Sequence, residues 1–132
     1  MNRPPLSRRA LLATLLGAAA GLAHATPSES EHRLIDGLIQ RVAGMRDITF
    51  LRNGNTYNAA EAARHMQAKY EHFRKEIVTA EDFIERCATR SEMTGKAYGI
   101  KRADGVEKAS AEFLRAELRS LRQADAARAG AG

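Results

Sequence analysis

Apolar residues between positions 28 and 45 recur one, three or four places apart, which is the spacing of one face of an α-helix. This stripe consists of Leu34, Ile35, Leu38, Ile39 and Val42. Charged residues such as Glu31 and Arg41 fall largely on the opposite side, and Gly44 suits the end of the helix. The pattern therefore predicts a first helix over residues 28–45 that buries one face.

Three further helices are predicted, each from a capping residue that precedes an apolar stripe. Asn58 and Glu61 have the three-residue spacing of a capping box. Thr79 is the expected cap of a short third helix, and Ser110 is the expected cap of the last one. The residues expected to be buried are Ala59, Ala63, Met66, Tyr70 and Phe73 in the second helix, Phe83, Ile84 and Cys87 in the third, and Phe113, Leu114, Leu118 and Leu121 in the fourth.

Two short segments have the character of β-strands. Residues 47–51 are rich in β-branched and aromatic side chains and lead into an Asn-Gly turn at Asn53 and Gly54. Residues 97–101 are the second candidate, followed by turn residues at 103–105. A two-stranded ribbon is not stable alone, so we expect the strands to pair antiparallel and to lie on the helices. The predicted fold class is mostly α (α+β), with about four helices and a small two-stranded antiparallel element.

The first 25 residues have the three parts of an export signal. Three arginines and no acidic residue precede an apolar run over residues 10–22, and Ala-His-Ala at 23–25 is a small-x-small cleavage site. The apolar run is shorter than the roughly 20 residues that a membrane span needs. We therefore predict a signal peptide over residues 1–25, processed by the export machinery and signal peptidase, and no membrane span afterwards.

The paired arginines Arg8 and Arg9, followed by apolar residues, resemble the twin-arginine export box. A general secretory leader that carries two arginines explains the same residues, so both routes stay open. Either route predicts a periplasmic protein, with secretion as the alternative.

The rest of the chain has the size of one domain. We predict a single domain over residues 26–123 and a flexible tail over 124–132, where alanine, glycine and isolated charges show no periodicity. The only cysteine, Cys87, has no partner for an internal disulfide, and we interpret it as a small core residue.

Net charge excludes a nucleic-acid-binding class. The chain has 21 basic and 16 acidic residues, but the leader contains three of the arginines, which leaves 18 basic against 16 acidic residues. Those charges are mixed along every segment, whereas nucleic-acid binding needs a dense basic face.

The sequence contains three polar groups that could carry chemistry. The first is Glu61, His65 and Lys69, whose spacing of four places them on one helix face. A carboxylate beside an imidazole suits acid–base catalysis, and His72 or His32 could add a ligand for a metal. Two ligands do not make a zinc site, and an exposed ladder of i,i+4 pairs explains the same spacing. We therefore predict no metal site.

The second group is Arg52, Asn53 and Gly54, with Tyr57 shortly after. Arginine beside a glycine turn could hold a carboxylate or a phosphate through its planar fork and the free amides of the turn. The alternative is structural, because Asn and Gly are also chosen for the backbone angles of turns.

The third group is Ser91 with Thr94, Gly95 and Tyr98. Hydroxyls around a glycine could bind a polar ligand. A serine nucleophile would need a base and an oxyanion hole, and the G-x-S-x-G motif is absent. A polar loop with local side-chain-to-backbone hydrogen bonds is the structural alternative.

The order and spacing of several segments resemble domain-of-unknown-function family 5329, the YfeK-like small exported proteins of Gram-negative bacteria. The segments are residues 50–54, 61–66 with Lys69, 79–84, Ser91, 94–96 and Tyr98. The resemblance covers the chain from the first helix to the last, and it implies a single periplasmic domain without implying an activity. The serine-rich stretch of the family is reduced here mainly to Ser91. The family pattern singles out Arg52, Asn53, Gly54, His65, Lys69, Ser91, Gly95 and Tyr98.

These residues, together with Glu61, are the predicted binding surface of a non-catalytic periplasmic protein. Its expected partner is a small polar ligand or another envelope protein. The alternative is a small envelope hydrolase in which His65 acts as base and Glu61 orients it. No nucleotide loop, cysteine cluster, calcium loop or haem motif occurs, so we predict no cofactor.

Overall fold

The computed structural model describes residues 26–131, and the predicted signal peptide lies outside the described residues. Four α-helices occur in this part of the chain. They are α1 (Glu29–Ala43), α2 (Ala59–Phe73), α3 (Ala80–Cys87) and α4 (Ser110–Ala131). A short 3-10 helix, Arg74–Glu76, follows α2 directly. No helix in the described residues is long and apolar enough to cross a membrane.

The predicted caps Asn58 and Thr79 are confirmed, and α1 begins directly after Ser28, the first residue of the helix predicted there. Ser28 caps α1, and Gly44 follows its last turn. Asn58 and Thr79 each form a capping box, Asn58 with Glu61 and Thr79 with Asp82. Each box satisfies backbone N–H groups that have no partner inside the helix.

The last helix differs from its prediction at both ends. It begins at Ser110 itself instead of after it, and Ser110 is buried. Its backbone N–H donates to the carbonyl of Tyr98, which ties the start of α4 to the sheet. The helix also continues to Ala131, through the segment predicted as a tail. Alanine-rich sequence favours helix even where no apolar stripe is buried, which explains this difference.

The β element has four strands instead of the two that were predicted. The strands are β1 (Ile48–Arg52), β2 (Asn55–Tyr57), β3 (Gly99–Arg102) and β4 (Glu107–Ala109), in the spatial order β2-β1-β3-β4. All neighbours are antiparallel. The two outer strands have only three residues each and are largely exposed, so they lack the alternating pattern that identifies a strand in a sequence.

The predicted pairing of the two central strands is confirmed. Phe50 of β1 lies opposite Ile100 of β3, and both side chains are buried. Strand β2 returns along β1 through a two-residue turn in which Asn53 and Gly54 have φ values of 51° and 80°. These left-handed angles match the type I′ turn that Asn-Gly favours, and the turn places Tyr57 opposite Phe50.

A single apolar core lies between the helices and the inner face of the sheet. The side chains predicted to be buried in α1 and α3 are all buried, while Phe73, Phe113 and Leu121 are only partly so. The largest fully buried side chains are Tyr70, Phe83, Ile35, Leu38, Ile77, Ile84, Ile100 and Leu114. Cys87 belongs to this core, as predicted.

One partly exposed polar cluster between the helices differs from its prediction. Glu31 is partly buried instead of being a free surface charge, because its carboxylate accepts hydrogen bonds from Arg122 of α4 and from the backbone N–H of Ala80 at the start of α3. Arg122 also donates to Glu81 over 2.6 Å. We call this set the Glu31–Arg122 clip; it links α1, α3 and α4.

Candidate functional site

Strand β1 and helix α2 place the main candidate residues beside each other. Arg52 is the last residue of β1 and lies on the same strand face as Phe50, because side chains alternate along a strand. His65 and Lys69 are one turn apart on α2, so both project from one face of that helix. The end of β1 and this face of α2 are in contact, through Arg52 and His65.

Arg52 and His65 are in direct contact. The Arg52 Nη1 atom lies 3.2 Å from His65 Nδ1. Arginine can only donate, so Nδ1 accepts this hydrogen bond and the neutral ring carries its hydrogen on Nε2. The pKa of His65 is lowered, first by partial burial of the ring and then by the positive charge of Arg52. Both causes favour a neutral histidine.

Each cation at this site also contacts a tyrosine. The Arg52 guanidinium lies 5.5 Å from the ring centre of Tyr57, whose ring meets His65 edge-on. Lys69 Nζ donates to the Tyr98 hydroxyl over 3.2 Å and lies 5.1 Å from the centre of that ring. Such cation–π contacts fix the direction of otherwise flexible side chains.

These residues surround a small cavity, which we call the cationic cavity. Its volume is about 40 Å³, enough for a few water molecules or one small chemical group. The lining consists of Phe50, Leu51, Arg52, Tyr57, Ala62, His65, Met66, Lys69, Cys87, Ala88, Tyr98, Gly99 and Ser110. The polar atoms of Arg52, His65, Lys69 and Tyr98 thus adjoin an otherwise mainly apolar space.

A second part of the predicted surface forms a lock between two loops. Asn53 Nδ2 donates to Ser91 Oγ over 3.3 Å, and Thr94 Oγ1 donates to Asn53 Oδ1 over 2.7 Å. The Ser91 hydroxyl also accepts from the backbone N–H groups of Met93 and Thr94. Gly95, with φ of 73°, donates its N–H to the Ser91 carbonyl. These contacts hold the turn that follows Arg52.

Of the nine predicted site residues, four line the cationic cavity, namely Arg52, His65, Lys69 and Tyr98. Asn53, Ser91 and Gly95 belong to the loop lock, and Gly54 completes the hairpin turn.

Glu61 has a structural contact of its own. Its carboxylate accepts from the backbone N–H of Asn58 at the start of α2, over 3.1 Å. Glu61 therefore caps its own helix instead of hydrogen bonding to His65, one turn later.

The hydrolase alternative finds no support in this geometry. The Ser91 hydroxyl bonds to Asn53 and to its own loop, and no hydrogen bond joins it to His65 in residues 26–131. Burial raises the pKa of the Cys87 thiol to about 12, so this thiol is protonated and unreactive at neutral pH.

The other two histidines considered as metal ligands have different neighbours. His32 Nδ1 lies 2.7 Å from the Tyr70 hydroxyl, and His72 packs edge-on against Phe73. Within the described part of the chain, no three His, Cys, Asp or Glu side chains converge as a metal site would require.

Several cavity residues were not predicted as part of a site. Tyr57 was considered only as a neighbour of the Asn-Gly turn, and recognising Asn55–Tyr57 as the return strand of a hairpin would have placed it opposite Phe50. Met66 was predicted only as a buried residue and Ser110 only as a helix cap, and Ala62 and Ala88 had no sequence signal, because lining a cavity requires only that a residue lie at the edge of the core.

The fold and the cavity together define a small α+β domain with four helices on one antiparallel sheet and a cationic pocket between sheet and helix. Comparison with protein families identifies the family: residues 29–122 match the one described as "Family of unknown function (DUF5329)", and the chain belongs to it. It is 39% identical over 89 residues to "Uncharacterized protein YfeK" of Salmonella typhimurium (strain LT2), across 67% of this chain and 69% of that protein. No solved structure matches the chain.

Proposed function

We propose that this protein is exported to the periplasm and acts there as a non-catalytic binding protein, with the cationic cavity as its binding site. The observation that carries the proposal is the meeting of Arg52, His65, Lys69 and Tyr98 around one cavity. They come from strand β1, helix α2 and the loop before β3, so the fold itself assembles the group. The predicted signal peptide supports the periplasmic location.

Two observations favour binding over catalysis. The hydroxyl of Ser91 is held in a loop, where it stabilises backbone geometry. The thiol of Cys87 lines the cavity but is kept protonated by its burial. The reactive side chains near the cavity are thus used structurally, while its cations and hydroxyls keep unused hydrogen-bonding capacity.

The size of the cavity limits what it can hold. A volume of about 40 Å³ accommodates a small polar ligand or one polar end group of an envelope protein, but not a large cofactor. The half-buried tyrosines and cations of its lining would provide contact area for either partner.

The first test is the mass of the protein purified from the periplasm under native and denaturing conditions. We expect a denatured chain that begins at Thr26 and additional mass under native conditions. Arg52→Ala and His65→Ala should lose that additional mass, whereas His72→Ala, a histidine on the same helix but off the cavity, should keep it. Circular dichroism would verify that each variant is folded.

The proposal would be wrong if the protein stayed in the cytoplasmic fraction. Its binding part would be wrong if Arg52→Ala and His65→Ala retained every ligand and every crosslinked envelope partner of the wild type.

A further inference from the structure

The cationic cavity has an uncompensated positive charge. None of its 13 lining residues is Asp or Glu. No salt bridge joins Arg52 or Lys69 to an acidic side chain anywhere in residues 26–131, whereas Arg122 and several other arginines there do have carboxylate partners. Two half-buried cations without a counter-charge favour an anionic ligand, because the ligand would replace the solvation that burial removes.

Arg52 and Lys69 both have hydrogen-bond donors without a partner in the described residues. A guanidinium has five N–H donors, and in the described chain that of Arg52 makes one hydrogen bond, to His65. An ammonium has three donors, and that of Lys69 makes one, to the Tyr98 hydroxyl. The contacts with Tyr57 and Tyr98 already restrict both side chains, so a ligand would lose little affinity to the ordering of the site.

Glu61, the acidic residue that acts on His65, does not fill this role. Glu61 is one turn before His65 on α2, but its carboxylate accepts the N–H of Asn58 at the start of the helix. Its charge raises the pKa of His65 less than burial and Arg52 lower it. Within residues 26–131, no carboxylate therefore pairs with Arg52 or Lys69, although both line the cavity.

The remaining lining selects among anions. Phe50, Ala62, Met66 and Ala88 are buried apolar residues on the inner side of the cavity. A doubly charged, strongly hydrated phosphate gains nothing from such a surface and would lose water there. A carboxylate matches the planar fork of arginine, and a few attached carbon atoms would cover the apolar wall.

We infer that the cationic cavity binds a carboxylate attached to a short hydrocarbon chain. Arg52 and Lys69 hold the carboxylate, and the apolar wall that includes Phe50 and Met66 contacts the carbon atoms. This inference rests on the proposed binding function. The carboxylate belongs either to a free small acid or to the end of a protein chain, since both present the same group.

The test is a titration of the mature chain in which binding is monitored through the NMR signals of its tyrosine rings. The probes are butyrate, butyramide, butylamine and inorganic phosphate. Two short peptides that end in alanine, one with a free and one with an amidated C-terminus, distinguish a protein source from a free acid. We expect butyrate to shift the Tyr57 and Tyr98 signals, and the neutral amide and the amine to leave them unchanged.

Charge-matched variants locate the site. Arg52→Gln and Lys69→Met should each weaken butyrate binding about tenfold or more, the usual effect of losing a charged hydrogen-bond partner. Arg102→Gln and Lys101→Met remove the same charges from the exposed end of β3, away from the cavity, and should bind like the wild type. Lys69→Met keeps the test decisive if Arg52→Gln does not fold.

The outcomes separate the two proposals. Equal binding of butyramide and butyrate, tighter binding of phosphate, or wild-type affinity in both cavity variants would overturn the carboxylate assignment and leave the cavity as a binding site for another ligand. Stronger binding of the free-ended peptide than of butyrate would support the inference with a protein as the source. If no probe shifts the tyrosine signals and the native mass from the periplasm is that of the bare chain, both proposals fail.

Discussion

The Glu31–Arg122 clip gives the most specific stability prediction. Removing the guanidinium with Arg122→Ala breaks two hydrogen bonds to Glu31, at 3.1 and 3.2 Å, and one to Glu81. The Glu31 side chain is only 19% exposed, so its carboxylate would be left half-buried with the Ala80 N–H as its remaining partner.

The cost follows from these exposures. A hydrogen bond to a charged group contributes about 1.5–3 kcal/mol, and the Glu31 link belongs in the lower part of this range because the Arg122 side chain is 37% exposed. The link to Glu81, which is 58% exposed, adds less than about 1 kcal/mol. We therefore expect Arg122→Ala to lower the free energy of unfolding by about 2 kcal/mol and the melting temperature by about 10 °C.

Chemical denaturation of the single variants Arg122→Ala and Glu31→Gln and of the double variant is the appropriate assay. Arg122→Ala removes the donor, whereas Glu31→Gln keeps one acceptor oxygen and removes the negative charge that strengthens the same link. The effects should therefore not be additive, and the coupling energy should be about 1 kcal/mol or more. Arg119→Ala is the control, since Arg119 is an exposed arginine of the same helix without an ion pair in the described residues. Additive effects, or an equal loss in Arg119→Ala, would refute the assignment of stability to the clip.

The clip also predicts a pH dependence. Its hydrogen bonds with Arg122 hold the pKa of Glu31 below the ordinary value of 4.5. The folded carboxylate therefore contributes stability above pH 4.5 that is lost as the pH falls through the lowered pKa. The stability difference between the wild type and Glu31→Gln should be largest near neutral pH and should shrink below pH 4.5. A difference that stays constant from pH 7 to pH 3 would contradict this account.

Three further predictions test the core and the turns. Phe83→Ala removes a fully buried ring that meets Tyr70 edge-on, and it should cost about 3–5 kcal/mol by urea denaturation; a loss below 1 kcal/mol would argue against this core. Cys87 should react with an aromatic disulfide reagent only after unfolding, and rapid reaction in the native state would contradict its burial. Gly54→Ala should lower the melting temperature because φ is +80° with no steric contact, whereas Gly37→Ala within α1 should leave it unchanged or raise it; the opposite order would exclude a backbone cause.

How far the sequence predicts the fold depends on the element. The apolar stripe of α1 and the caps at Asn58 and Thr79 were sufficient to place three helices, because helix periodicity and capping act within a few residues. The pairing of β1 with β3 was also predictable, since these were the two segments of strand character. Strands β2 and β4 were not predicted, because three largely exposed residues show no alternation of apolar and polar side chains.

The candidate site divides in the same way. Arg52, His65, Lys69 and Tyr98 were singled out by residue type and order along the chain, but their assembly around one cavity depends on how β1 lies against α2. The same nine predicted residues also include a helix cap, a turn glycine and a loop lock. Residue type alone does not distinguish a ligand-binding role from a structural one, because asparagine, serine and glutamate make similar hydrogen bonds in binding sites and in caps or loops.

By itself, the sequence determined local structure, namely three helix starts, the Asn-Gly turn and which helix faces are apolar, while the export leader stays a prediction. Only the tertiary structure decided that Glu31 is a link between three helices instead of a surface charge, and that the neutral ring of His65 faces Arg52 instead of Glu61. The physical reason is distance along the chain. Glu31 and Arg122 are 91 residues apart, and a contact of that kind is set by the packing of whole helices, which short-range patterns do not encode.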